Sequence, residues 1–382
     1  MAIRVAFSRG VVAYFRLLAV IAILLLWGVS LANGTVKALL LAVFHGEINK
    51  GVPLRRSYLG FLPLDLVIAL LVAFFFYGTN SHDEGYQLFL VDAYSTLQSA
   101  FVWLYMEAKR PGDKPYLVSR PIIFGILWQC FGAAIALPLY FAAHLPWAMN
   151  GRAARVRDVA QAAAVPWSFS IGAILPAVVG MGTTWLGADS RTDATHQLIL
   201  GLWQPDPVWV SGVQAVVSMI ISAVRPGRGR GQKSKSSSGP SRRDQAVDAY
   251  LWVRFSYLLA AVMSGAGHLY VMGRIFTSNE KNTVAFIRMY VPFLFSGPSG
   301  VGENVLVYGP WLFLQYDLII ISLSSLSWVY YLLTSRGDRV PPVSACRCFL
   351  LLSFGALTIG PGATVSIALW YRESTLAEYV SA

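Results

Sequence analysis

The sequence predicts an all-α, polytopic transmembrane helical bundle, on three observations. Of 382 residues, 56% are hydrophobic and only 13% are charged, whereas a soluble domain carries about 25% charged residues. Apolar runs of roughly 20 residues recur along the chain, the length that crosses a hydrocarbon core about 30 Å thick. These runs are too long for barrel strands and lack their alternation of polar and apolar residues.

The runs place nine spans, near residues 11–31, 61–77, 87–106, 121–147, 165–186, 197–224, 247–273, 308–333 and 345–371. Counts of eight or seven also fit. The first has a short apolar core, Leu17 to Trp27, preceded by Arg4 and Arg9. That pattern also fits a signal peptide; a retained helix is preferred because Val11 to Leu31 is long enough to span. The second opens with Pro63 and Asp65, a proline and a carboxylate suited to the positive end of a helix. The third carries Asp92 and ends at Glu107, beside Lys109 and Arg110. The fourth holds Gln129, Cys130, Pro138, Tyr140 and His144. Pro138 and Pro176 are expected to kink their helices and free carbonyls. The segment 285–295, with Pro292, is apolar but too short to cross and reads as interfacial. In the seventh span Gly265 and Gly267 allow close helix approach. The eighth carries Gln315, Tyr316 and Asp317 deep in an apolar run.

The whole chain, 1–382, reads as one transmembrane domain. Within it, 225–245 (RPGRGRGQKSKSSSGPSRRDQ) is rich in Gly, Ser, Arg and Lys. Such a segment cannot bury a core and is expected to be a disordered basic loop. The formal charge of +11 would suggest nucleic acid in a soluble protein. Here it indicates loop lysines and arginines meeting anionic headgroups, so the expected partner is the bilayer and no nucleic acid. Basic residues divide nearly evenly between the two sides, which leaves the orientation open. Three cysteines, Cys130, Cys346 and Cys348, form no disulfide framework, and the five histidines have no metal-binding spacing.

No P-loop, dinucleotide fingerprint, zincin helix or nucleophile elbow occurs. Adjacent aspartates are also absent, so there is no carboxylate-rich clamp for the magnesium ions of a prenyl diphosphate. What remains are isolated acids in or beside spans: Asp65, Asp92, Glu107 and Asp317. Ionisable groups inside a membrane usually face a cavity or one another. A carboxyl that keeps its proton in a dry pocket is a proton donor. For Asp317 the competing structural reading is an ion pair with Arg254; for Glu107 it is solvation where its helix leaves the membrane. Asp92 and Glu107 are fifteen residues apart, so on one helix about 22 Å separates them and they cannot share a site. His144 and His268 are pocket candidates or interfacial histidines bonded to backbone carbonyls. Aromatic residues form 13% of the chain; rings facing a pocket attract cations.

The run from Glu107 onward resembles fungal membrane-bound meroterpenoid cyclases of the macrophorin, ascofuranone and indole-diterpene type. The residues carrying it are Glu107, Lys109, Arg110, Gly112, Pro121, Phe124, Gly125, Gln129, Gly132, Ala133, Pro138, Leu139, Tyr140, Phe141 and His144. Gln197, Trp203 and Gln204, then Gln315, Tyr316 and Asp317, continue it. Ala108 and Asp113 depart from the family's Ser and Asn. The resemblance implies an enzyme of the endoplasmic reticulum membrane that needs no cofactor or metal. It would protonate an epoxide or alkene of a hydrophobic prenylated substrate and let the cation close rings. On this reading Asp317 and Glu107 form a catalytic acid pair in one pocket, and His144, Gln129, Tyr140, Gln315, His268 and Trp203 shape it. The rival is a proton-coupled transporter of a small hydrophobic metabolite.

Overall fold

The computed structural model describes residues 2–149, 154–181, 187, 190–224, 242–280, 282–293, 304–335 and 343–381. Helix α1 (Ala2–Ile23) continues through a π-helical turn (Leu24–Gly28) into α2 (Val29–Ala32). Then come α3 (Thr35–His45) and a two-stranded antiparallel ribbon, β1 (Glu47–Asn49) and β2 (Val52–Pro53). There follow α4 (Leu62–Thr79), α5 (Glu84–Lys109), α6 (Pro121–Phe131), α7 (Ala133–Trp147) and α8 (Val159–Ser168). A second π-turn (Phe169–Ile174) leads into α9 (Leu175–Met181). The rest is α10 (Asp193–Trp203), α11 (Asp206–Val224), α12 (Arg242–Thr277), the short α13 (Phe286–Tyr290), α14 (Val305–Thr334), α15 (Ala345–Thr358) and α16 (Pro361–Ser381).

Among the described residues six helical segments are long and apolar enough to cross a membrane: 9–32, 62–79, 159–181, 206–224, 246–277 and 305–334. All six fall on predicted spans. Three predicted spans are broken, one of them the span that contains 206–224. The run 121–147 is two helices meeting at Gly132, 197–224 divides at Pro205, and 345–371 divides at Gly360. Apolar periodicity ran through each break, because glycine and proline are tolerated in apolar runs and give no certain stop. Helix α5 is long enough at 26 residues, yet is not among the six. Its polar residues Gln87, Asp92, Gln98, Ser99 and Glu107 are all buried, so α5 lies inside the bundle. Helix α3 was not expected as a separate element. Residues 225–241 of the predicted basic loop lie outside the described residues, while 242–245 already belong to α12.

Local chemistry explains the helix starts. Asp83 caps α5 by accepting the Tyr86 N–H, and its carboxylate also pairs bidentately with Arg288 at 2.6 and 3.0 Å. At α4 the Asp65 carboxylate gathers the N–H groups of Tyr58, Leu59 and Gly60 at 2.7–3.1 Å, which ties the preceding loop to the helix as the expected N-terminal role requires.

Helix α14 is the axis of the bundle. Of its most apolar stretch 67% is buried, against 22% for α11 on the rim. It packs on α7, α16, α4 and α3, while α1 lies along α7 and α12 lies between α5 and α16. The α12–α5 approach is close: a Cβ on Gly267 would come within 2.7 Å of Ser95 Cβ.

Candidate active site

A cavity of ≈ 210 Å³ lies between α3, α4, α5, the α6–α7 junction and α14. A cavity of about 150 Å³ accepts benzene, so this one has room for an organic group of at least that size. Its aromatic lining is Trp27, Phe74, Phe75, Tyr94, Trp128 and Phe313. Asp317 is the one carboxyl among the lining residues.

Three features of the chain place that carboxyl. The first is the break at Gly132, whose φ of +104° excludes ordinary side chains. A Cβ there would sit 2.5 Å from Leu26 Cδ2 and 3.2 Å from Asp317 Oδ1. The second is the fresh start of α7 that the break creates, whose N–H groups have no partner in their own helix. Asp317 Oδ1 accepts the Ala134 N–H at 2.7 Å, so the carboxyl sits on a helix N-terminus that favours its anion. The third is the π-turn in the first span, a device common at functional sites. It carries Trp27, which lines the cavity and donates its indole N–H to the carbonyl of Phe131 at 2.9 Å, satisfying a group freed by the break.

Glu107 lies elsewhere. It is completely buried, so solvation at a helix exit does not describe it. Oε1 accepts from Arg110 Nε at 2.8 Å, from Arg372 at 2.9 Å and from the Tyr257 hydroxyl at 3.4 Å. Oε2 meets His144 Nε2 at 2.9 Å. Arg110 also reaches Glu373 at 2.7 Å. The Trp328 indole N–H, which can only donate, approaches His144 Nδ1 at 3.1 Å. Nδ1 is therefore the acceptor, and the neutral imidazole donates from Nε2 to Glu107. Two carboxylates and two guanidiniums then balance.

The two acids do not meet. Ala134, bonded to Asp317, and His144, bonded to Glu107, are ten residues apart on α7, about 15 Å at 1.5 Å per residue. On α14 the steps from Asp317 to Trp328 give about 16 Å. The expected acid pair in one pocket is replaced by one carboxyl on the cavity and one in an ion cluster. Nor does Asp317 pair with Arg254, whose guanidinium lies 3.9 Å over the Trp370 ring and donates to the Tyr250 hydroxyl.

The other candidates separate in the same way. Gln129 lines the cavity and donates to Gln204 Oε1 at 2.6 Å. Trp203 backs it, with its ring 4.8 Å from Tyr94 and 5.7 Å from Phe75. Tyr140 stacks on His144 and belongs to the Glu107 cluster. Gln315 donates to the carbonyls of Met289 and Arg288, away from the cavity. His268 pairs with Asp92 at 3.0 Å, and the Tyr290 hydroxyl joins them at 2.5 Å. Both His144 and His268 thus bind carboxylates; among the described residues His144 has no backbone carbonyl beside its carboxylate, whereas His268 also meets the backbone of Leu357.

Sequence reasoning missed Asp206 and the pair Arg372–Glu373. Asp206, only 4% exposed, opens α11 between Pro205 and Pro207, and an acid entering an apolar run was the available signal. Arg372 and Glu373 directly follow the predicted span 345–371, and no spacing rule links them to Glu107 or Arg110.

Comparison with known proteins agrees with the resemblance in the sequence. The CtvD domain matches residues 11–377. Terpene cyclase DEP1 of Fusarium langsethiae is 27% identical over 372 residues, covering 92% of this chain and 95% of the relative. DEP1 of Alternaria brassicicola is 28% identical over 374 residues, with 92% and 95% covered. Terpene cyclase ascI of Acremonium egyptiacum is 25% identical over 336 residues, with 84% and 80% covered. No solved structure matches. By a match over residues 11–377, then, this chain belongs to the CtvD-domain family of fungal terpene cyclases.

Proposed function

We propose that this terpene cyclase starts its reaction by delivering the proton of Asp317 to an alkene or epoxide of a prenyl chain held in the cavity. The observation that carries the reading is the placement of one buried carboxyl, braced by a helix start, in a pocket walled by six aromatic rings. The O–H bond of Asp317 breaks as a C–H or O–H bond forms on the substrate. The carboxylate left behind accepts the Ala134 N–H at the positive end of α7. Ring faces stabilise the travelling cation, each worth about 2 kcal/mol when desolvated. Loss of a proton from carbon ends the cascade, so the reaction is an isomerisation with no oxidant or reductant.

The substrate is a hydrophobic prenylated small molecule on an aromatic, polyketide or indole core, drawn from the bilayer. The protein sits as a multi-pass chain in the endoplasmic reticulum membrane and has no nucleic-acid partner. Glu107 acts as the anchor of the ion cluster and not as the second acid of the pocket.

Microsomes carrying wild type or Asp317→Asn are supplied with a linear prenylated precursor and its epoxide. Wild type is expected to give a product of equal mass, shifted retention and new rings, and Asp317→Asn none at equal folded protein. Cyclisation retained by Asp317→Asn would remove the donor assignment.

A further inference from the structure

The cavity wall has an unpacked seam. Two lining residues, Leu40 on α3 and Cys130 on α6, are also exposed at the molecular surface, Leu40 by 54%. Helix α3 packs on α2, α4 and α14, and α6 packs on α5, α7 and α11. Among the described residues no extended packing joins α6 to α3 or α4. A cavity whose lining reaches the surface on both sides of such a seam has a mouth there.

The two lips of that mouth differ. The α6 lip is pinned on either side of Cys130: Gln129 donates to Gln204 Oε1 at 2.6 Å, and the Phe131 carbonyl accepts the Trp27 indole N–H at 2.9 Å. The facing lip is aliphatic, made by Leu40 with Leu70 and Leu71 of α4. Leucine side chains change rotamer without breaking a hydrogen bond, so one edge is fixed and the other can yield. The surroundings decide what the mouth opens on. Leu41 and Phe44 on α3, Leu66 and Val67 on α4, and Ile126 and Phe131 on α6 are all apolar and exposed. Helix α4 is also one of the segments long and apolar enough to cross the membrane. Apolar surface of this kind faces hydrocarbon.

We propose that the seam between α6 and the α3–α4 pair is the portal through which the prenylated substrate passes sideways from the bilayer into the cavity, with Leu40 and Cys130 on its rim. This rests on the cavity being the site of cyclisation. A prenyl chain already resides in hydrocarbon, because removing each methylene from water is favourable, and it reaches this mouth without crossing water. Cys130 stands two residues before the Gly132 break, and the helix start after that break holds Asp317. A chain entering past Cys130 therefore arrives beside the carboxyl, and the cyclised product returns to the lipid by the same seam.

The test closes the portal reversibly. In the full chain, with Cys346 and Cys348 replaced by Ala, the thiol introduced by Leu40→Cys is joined to Cys130 with a bifunctional methanethiosulfonate. Mass spectrometry verifies the link, and cyclisation of a linear prenylated precursor is measured in lipid–detergent micelles. Bridging should lower turnover by roughly 10-fold or more, within the decades over which association rates vary among variants of one site, and reduction should restore it. The product rings should be unchanged, since Asp317 and the aromatic wall are untouched. Full turnover by the bridged protein would overturn the portal. Leu40→Trp and Cys130→Trp should each lower kcat/KM by roughly 10-fold with the same product. Leu41→Trp and Ile126→Trp, exposed on the same two helices but outside the cavity lining, should match wild type. Wild-type kcat/KM in both rim variants, or equal losses in the two controls, would also overturn it; if the bridge does not form, these four variants decide. Asp317→Asn is scored separately. Cyclisation by that variant, with turnover still blocked by the bridge, would remove Asp317 as donor and leave the portal. An inactive Asp317→Asn with full turnover in the bridged protein would remove the portal and leave the donor.

Discussion

Replacing Glu107 by Gln separates two roles that the sequence alone left merged. In the structure Glu107 is completely buried and takes hydrogen bonds from Arg110, Arg372, His144 and Tyr257. Gln keeps the volume but removes the charge. Arg110 retains Glu373 at 2.7 Å, whereas Arg372 loses the carboxylate it donates to at 2.9 Å. Removing one partner of a buried pair costs about 3–5 kcal/mol, because the remaining charge stays buried and unpaired. For a domain stable by about 5–15 kcal/mol that loss is a large fraction of the total.

The assay is thermal unfolding of the detergent-solubilised protein followed by gel filtration, with activity normalised to folded molecules. Glu107→Gln should lower the midpoint sharply while the surviving folded fraction still cyclises. Arg372→Gln alone should also destabilise. The double variant Glu107→Gln/Arg372→Gln should be less damaged than the sum of the two, since the cycle removes both charges of one pair. A Glu107→Gln protein with wild-type melting and no activity would refute this reasoning and return Glu107 to proton chemistry.

Two further outcomes follow from the cavity. Gly132→Ala should reduce cyclisation and stability together, because φ of +104° and the 2.5 Å approach to Leu26 both oppose a side chain; the backbone strain alone is about 1–3 kcal/mol, read as a lowered melting midpoint, and an unchanged midpoint with full activity would show that the α6–α7 break does not position Asp317. Phe313→Leu keeps most of the volume but removes a ring face from the cavity, so kcat should fall roughly 30-fold, the rate equivalent of about 2 kcal/mol of cation–π attraction, with partly cyclised products appearing by mass spectrometry; an unchanged product profile would take Phe313 out of the cation's path.

The fold class was legible because apolar run length is a direct consequence of bilayer thickness, and all six long apolar segments lie where the runs put them. The breaks were not legible. Gly132, Pro205 and Gly360 sit in runs whose hydropathy is continuous, and only tertiary approach makes Gly132 a break: Leu26 and Asp317 come from distant parts of the chain. The candidate site was half legible for the same reason. Asp317 stands out as a lone acid in an apolar run, and it does line the cavity. Glu107 read as a helix-end acid beside Lys109 and Arg110; Arg110 does pair with it, yet its other guanidinium, Arg372, lies 265 residues away, and no spacing rule reaches that far. Asp206 was passed over inside a predicted span of 197–224, and Gln98, which donates to it, lies 108 residues away.

Two polar centres on the same pair of helices also have a consequence for the cavity between them. Helix α7 binds Asp317 at its start through Ala134 and Glu107 further along through His144. Helix α14 carries Asp317 and, eleven residues later, the Trp328 that fixes the tautomer of His144. Each helix is therefore held at two levels about 15 Å apart. A helix held at one level can slide or rotate; held at two it cannot, and the register of Asp317 against the α6–α7 break is fixed. Proton delivery demands that kind of placement, since misplacement by about 1 Å can cost 100-fold in rate. On the proposed donor role of Asp317, the ion cluster would serve the chemistry from a distance. Its net charge is zero, it is sealed from solvent, and it spends its hydrogen bonds on joining α5, α7, α12 and α16, with α14 tied in through the Trp328–His144 bond. That division of labour explains why a chain with so few charged residues buries several of them away from the cavity where the reaction is proposed to run.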